Sequence, residues 1–84
     1  MAYSQSDITN AVSTYLKERF LAPNVSISLT DKFSDVGVDS MTVVELVMFI
    51  EEKFGIAIPA DQLTGVNLES IESLARCAEK NQSN

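Results

Sequence analysis

The residue best placed for chemistry is Ser40, in the run Gly37-Val38-Asp39-Ser40-Met41, where an aspartate precedes the first turn of a strongly helical stretch. A serine there presents an exposed hydroxyl and has two alternative roles. One is structural, because serine near a helix start satisfies backbone N–H groups. The other is chemical. As a hydrolase nucleophile Ser40 needs a base to take its proton, normally a histidine oriented by a third group, and the chain has no histidine. A serine–lysine pair needs an enclosed site that lowers the lysine pKa, and six Lys and Arg residues scattered over 84 positions give none. No catalytic residue is assigned. An exposed hydroxyl without a local base is suited instead to being a substrate, modified by an enzyme that brings its own base and metal. The positive end of the helix dipole tolerates a phosphodiester formed on that hydroxyl.

The helix that positions Ser40 is expected over 40–54, with Asp39 as N-cap and Gly55 as the stop. Val43, Leu46, Val47, Ile50 and Phe54 fall at i, i+3, i+4, i+7 and i+11 and define a core-facing stripe. A second apolar row, Met41, Val44 and Met48, lies beside Glu45, Glu51 and Glu52. That row is either a second buried face or an apolar strip rimmed by carboxylates, which docks in a basic-edged groove on a partner protein. Methionine suits a surface that repacks against several partners in turn.

Three further helices complete the expected fold. The first spans about 6–20, with Ile8, Ala11, Val12, Tyr15, Leu16 and Phe20 on one face, Ser4 or Ser6 as cap, Asp7 near its positive end, and Pro23 preventing continuation. Leu21 to Val38 form a long connection without helical period. Loops of that length are uncommon in small domains, so Val25, Ile27, Leu29, Phe33, Val36 and Val38 are expected to pin it across the core. Part of Val25–Leu29 alternates like a strand, but with nothing to pair with. Pro59 starts a short third helix over 60–63, broken by Thr64 and Gly65. Asn67 caps a fourth over 68–80, with Leu68, Ile71, Leu74, Ala75 and Ala78 inward and Lys80 near its negative end. Asn81 to Asn84 form a polar tail with nothing to bury. The expectation is all-α: a small four-helix bundle, one domain over 1–84, with a long loop between helices one and two.

Composition narrows the classes of function. At 45% apolar and 21% charged residues, the chain reads as a globular domain that folds in water, with no apolar run of transmembrane length. No secretory signal is visible in Met1 to Asp7, so the expected location is the cytoplasm and no membrane partner is expected. Twelve acidic against six basic residues give a net charge of −6, which disfavours nucleic acid and attracts proteins with basic patches. The single cysteine, Cys77, has no second thiol to pair with and reads as a small buried hydrophobe. Asp31, Asp35 and Asp39 do not form a calcium loop, because the third position is Phe33, the sixth is Val36 in place of glycine, and the twelfth is Thr42 in place of glutamate. No metal site is assigned.

Asp39-Ser40-Met41, then Val44-Glu45-Leu46-Val47-Met48, then Glu51-Glu52-Lys53-Phe54-Gly55-Ile56-Ala57-Ile58-Pro59 resembles the Asp-Ser-Leu region and recognition helix of the acyl carrier protein family. The likeness extends over most of the chain. It implies a monomeric, non-enzymatic carrier whose Ser40, next to Asp39, receives 4′-phosphopantetheine from coenzyme A through a phosphopantetheinyl transferase. It further implies that the arm's thiol holds acyl, aminoacyl or polyketide intermediates as thioesters. The partners implied are acyl-loading, ketosynthase, reductase or dehydratase, and acyltransferase enzymes of a fatty-acid, polyketide or secondary-metabolite pathway. Met41, Val44, Glu45, Met48, Glu51 and Glu52 would meet them. Some carriers enclose the cargo, for which Val43, Leu46, Ile50, Phe54, Ile58, Leu63, Ile71 and Leu74 would serve here, or else form plain core. Two departures from the fatty-acid pattern, Thr42 at a commonly acidic position and Asp61 as the lone charge between Ala60 and Val66, point towards a specialised pathway or a peptidyl or aryl carrier. The alternative from another class is a helical interaction module without a prosthetic group.

Overall fold

The computed structural model describes residues 3–21 and 24–82. Among them the chain is helical, with three α-helices, α1 (Gln5–Arg19), α2 (Ser40–Phe54) and α3 (Ile71–Asn81), and three single turns of 3-10 helix at Phe33–Val36, Ala60–Gln62 and Gly65–Leu68. α1 packs mainly on α3 and more lightly on α2.

Local chemistry explains each helix start. Ser4 caps α1 through a reciprocal pair: the Asp7 N–H donates to Ser4 Oγ at 3.1 Å and the Ser4 N–H donates to Asp7 Oδ2 at 3.1 Å. Ile8, Val12 and Leu16, one turn apart, are fully buried. Phe20, expected on the same face, is 37% exposed, because α1 ends at Arg19 and Phe20 has left the helical path as its C-cap. The expected stop at Pro23 lies outside the described residues. α2 closes at Gly55, whose φ of +67° is the left-handed conformation that glycine adopts without strain.

The long connection is pinned at fewer points than its apolar residues suggest. Ile27, Phe33 and Val38 are buried and Val36 half-buried, but Val25 and Leu29 are 38% and 43% exposed. Backbone bonds do the rest of the anchoring: the Glu72 N–H donates to the Leu29 carbonyl at 2.9 Å and the Phe33 N–H to the Glu69 carbonyl at 2.8 Å. Leu29 is therefore held by its backbone while its side chain stays outside. The stretch 25–29, part of which alternates like a strand, forms none: 25–28 are irregular and Leu29 begins a turn.

The carboxyl-terminal half departs most from expectation, and the four-helix count becomes three. The expected third helix is one 3-10 turn. The expected fourth begins at Ile71, not Leu68, because Ser70 and Ser73 cap each other: the Ser73 N–H donates to Ser70 Oγ at 3.2 Å and the Ser70 N–H to Ser73 Oγ at 3.0 Å. Asn67, expected to cap, instead donates from Nδ2 to the Gln62 carbonyl at 2.8 Å and ties the two 3-10 turns together. The polar tail is also engaged. Asn81 is the last residue of α3 and donates to Gln62 Oε1 at 2.6 Å, and Gln82 exchanges two hydrogen bonds with the Tyr3 backbone at 2.7 and 2.6 Å. Ser83 and Asn84 lie outside the described residues.

Candidate attachment and docking site

Ser40 owes its position to the three residues before it. Gly37, with φ +81°, ends the Phe33–Val36 turn, and the Val38 N–H donates back to the Phe33 carbonyl at 2.9 Å. Val38 is then buried, at 7% exposure, so the chain leaves the core with Asp39, Ser40 and Met41 facing outward. Asp39 Oδ1 accepts the Thr42 N–H at 2.9 Å, and its carbonyl accepts the Val43 N–H at 3.1 Å. The Thr42 N–H, with a smaller contribution from Met41, holds the Asp39 carboxyl below the usual carboxylate range. Asp39 thus uses part of the positive helix end itself, leaving Ser40 as an exposed hydroxyl on the first residue of a firmly capped helix.

A groove of about 440 Å³ opens beside Ser40. It is lined by Asp39, Ser40, Val43 and Val44 around the start of α2, by Phe33, Ser34 and Val38 from the connection before it, and by Gly65, Leu68 and Glu69. The part played by Gly65, Leu68 and Glu69 was invisible to sequence reasoning, since residues some 25 or more positions from Ser40 carry no local pattern that links them to it. Gly65, legible only as a helix breaker, had no signal for this place. Of the eight residues considered for enclosing cargo, Val43 alone lines this groove. Leu46, Ile50, Ile71 and Leu74 are at 0% exposure as solid core, and Ile58 is also buried.

The second apolar row of α2 lies outside. Met41 is 70%, Val44 49% and Met48 55% exposed, while Val43, Leu46 and Ile50 on the inner stripe are buried and Val47 and Phe54 half-buried. Met41, Val44, Glu45, Met48 and Glu52 share a second groove of about 680 Å³ with Tyr15, Arg19 and Phe49. Val44 borders both grooves. Glu51 is exposed but lines neither. The side chains from α1 and Phe49 were not anticipated, because their meeting depends on how α1 crosses α2.

Other polar groups have settled structural roles. Asp31 Oδ2 accepts the Ser28 N–H at 2.9 Å and closes a turn, which holds its carboxyl below the ordinary range. Cys77 is buried beside Gln62 and Asn81, and that burial pushes its thiol up. Among the described residues no helix is long and apolar enough to cross a membrane.

A buried loop anchor, a capped helix and an exposed first-turn serine beside an apolar groove form the frame of a carrier domain, and known proteins match it. A family model for the phosphopantetheine attachment site matches residues 6–78. The acyl carrier protein of Thermobifida fusca (strain YX) is 28% identical over 81 residues, 95% of this chain and 100% of that one. Acyl carrier protein 4, chloroplastic, of Arabidopsis thaliana is 34% identical over 73 residues, 86% of this chain, which spans only 52% of that protein's length. A chain in the crystal structure of Bradyrhizobium japonicum glycine:[carrier protein] ligase complexed with glycylated carrier protein superposes with a TM-score of 0.69 and 32% identity, covering 87% of this chain and 96% of that one. The protein is therefore a phosphopantetheine-bearing carrier, and it belongs to the acyl carrier protein family. Its prosthetic group is a covalently attached 4′-phosphopantetheine, and it is not an enzyme.

Proposed function

We propose that Ser40 is the attachment point of 4′-phosphopantetheine and that this chain, as a single monomeric domain in the cytoplasm, carries acyl or polyketide intermediates between the enzymes of one pathway. The observation that carries the reading is the exposed Ser40 hydroxyl at the start of α2, capped by Asp39 and bordered by the 440 Å³ groove. The fit to the arm is chemical: a polar helix end suits the phosphodiester, and the apolar lining from Val38, Val43 and Leu68 suits the methyl and methylene groups of the pantetheine chain beyond it. When bound, the arm supplies a terminal thiol that holds cargo as a thioester. The chain's own residues supply the address. Asp39 fixes the first turn so that Ser40 faces outward, and Val38 anchors the approach.

Met41, Val44, Glu45, Met48, Glu51 and Glu52 are the proposed meeting surface for the phosphopantetheinyl transferase and then for loading, ketosynthase, reductase or dehydratase, and acyltransferase enzymes. An apolar strip this exposed, rimmed by carboxylates, favours partners with basic edges. Its small contact area suits rapid release. The likeness to the chain in the glycine:[carrier protein] ligase complex favours a second reading of the cargo, in which an amino acid takes the place of the acyl group.

Intact-protein mass spectrometry after co-expression with a broad phosphopantetheinyl transferase tests the attachment point. We expect one added phosphopantetheine, lost in Ser40→Ala with the helical spectrum unchanged. Addition that persists in Ser40→Ala would show that another residue carries the arm.

A further inference from the structure

We propose that Gly65 is the clearance residue of the attachment site: the missing side chain there keeps the groove beside Ser40 open for the pantetheine segment of the prosthetic arm. This rests on the reading of Ser40 as the attachment point.

The first support is that the fold does not need glycine at 65. Gly37 and Gly55 have φ of +81° and +67°, a left-handed backbone that side chains oppose. Gly65 has no positive φ, and nothing lies within 4 Å of where its Cβ would stand. Nor is it needed to separate the two neighbouring 3-10 turns. Thr64 does so in an extended conformation open to any residue, with φ −129° and ψ 164°, and Asn67 ties the turns together at the Gln62 carbonyl. A glycine that neither conformation nor packing demands lowers stability, because it adds freedom to the unfolded chain. What Gly65 does in the fold is line the groove beside Ser40, as the one lining residue without a side chain.

The second support is that the groove is held at a fixed width. Phe33, a buried member of the lining, donates its N–H to the Glu69 carbonyl at 2.8 Å, so the connection before α2 is tied directly to the segment that contains Gly65, Leu68 and Glu69. The Leu68 N–H donates to the Thr64 carbonyl at 3.2 Å and fixes the turn that Gly65 begins. A side chain added at 65 would enter open space beside a lining that does not move aside.

The third support identifies the occupant. Ser40 borders the same groove, so an arm on its hydroxyl is tethered at the edge, and tethering sustains contacts too weak to hold a free molecule. The volume of about 440 Å³ falls in the range of small-molecule sites, about 300–1,000 Å³. Val38, Val43 and Leu68 suit the arm's methyl and methylene groups, and Ser34 and Glu69 bring acceptors for its amide N–H groups.

The test uses the isotope-labelled full chain carrying an unlabelled arm loaded from acetyl coenzyme A, as wild type, Gly65→Ala and Gly65→Leu. Mass spectrometry shows whether each has taken one arm at Ser40. Isotope-filtered nuclear Overhauser spectra then report contacts between the arm's geminal methyl groups and the side chains of Val43 and Leu68. We expect those contacts in the wild type, weaker ones in Gly65→Ala and none in Gly65→Leu, with all three chains loaded; the alanine variant carries the test if leucine disturbs the turn. Before loading, Gly65→Ala should melt about 2–8 °C above the wild type, which separates a role in the site from a role in folding. Contacts as strong in both variants as in the wild type, their absence from the loaded wild type, or a lower melting temperature for Gly65→Ala each overturns the inference and leaves Ser40 standing as the attachment point. A wild-type chain that takes no arm at Ser40 overturns both.

Discussion

Replacing Leu46 and Met48 in turn by alanine separates folding from docking within a single turn of α2. Leu46 has no exposure, so its truncation removes a buried side chain and leaves a cavity, at a cost of about 2–5 kcal/mol. A domain of this size is stable by only about 4–13 kcal/mol in total, and each kcal/mol lowers its melting temperature by about 4–8 °C. Leu46→Ala should therefore melt at least about 8 °C lower. Met48 is 55% exposed, and such surface changes stay within about 0.5 kcal/mol, or under about 4 °C. Its loss appears on contact with a partner: an interface side chain of this kind contributes about 1–2 kcal/mol, roughly a five- to thirtyfold fall in kcat/KM. The assay pairs thermal melting by circular dichroism with the initial rate of phosphopantetheine loading at low carrier concentration. Met48→Ala should keep the melting temperature and slow loading. If it melts as low as Leu46→Ala, or loads at the wild-type rate, the division of α2 into an inner and an outer face is refuted.

Three other outcomes are expected from the geometry. Asp39 has a folded-state pKa below its unfolded value, so its contribution to stability is present above about pH 4 and is lost as pH falls through the folded value. Acid melts of Asp39→Asn should fall less steeply than wild type below about pH 4, and parallel curves would contradict this. Ser70→Ala should cost about 1 kcal/mol in urea unfolding through loss of the Ser73 N–H acceptor, whereas the start of α3 should not depend on Asn67. Cys77, buried with its thiol pushed up, should react slowly with a thiol reagent at neutral pH and rapidly once urea unfolds the chain; fast reaction of the native protein would contradict its burial.

The features legible from residue spacing lie within single helices. Spacing of Val43, Leu46 and Ile50 fixed the inner face of α2, and the leftover row of Met41, Val44 and Met48 was legible as an alternative face because a helix at the edge of a small domain has only one side to bury. Asp39 as N-cap and Gly55 as stop were also legible, since capping is a contact between residues three or four apart. Where two local signals competed, tertiary structure chose: Asn67 bonds to Gln62 and leaves Ser70 to start α3, and Leu29 anchors through its carbonyl instead of its side chain. The groove beside Ser40 and the stacking of Tyr15 on Phe49 were decided wholly by packing. Each joins residues about 25 or more positions apart, and no periodicity in a chain records which face of one helix will lie against another.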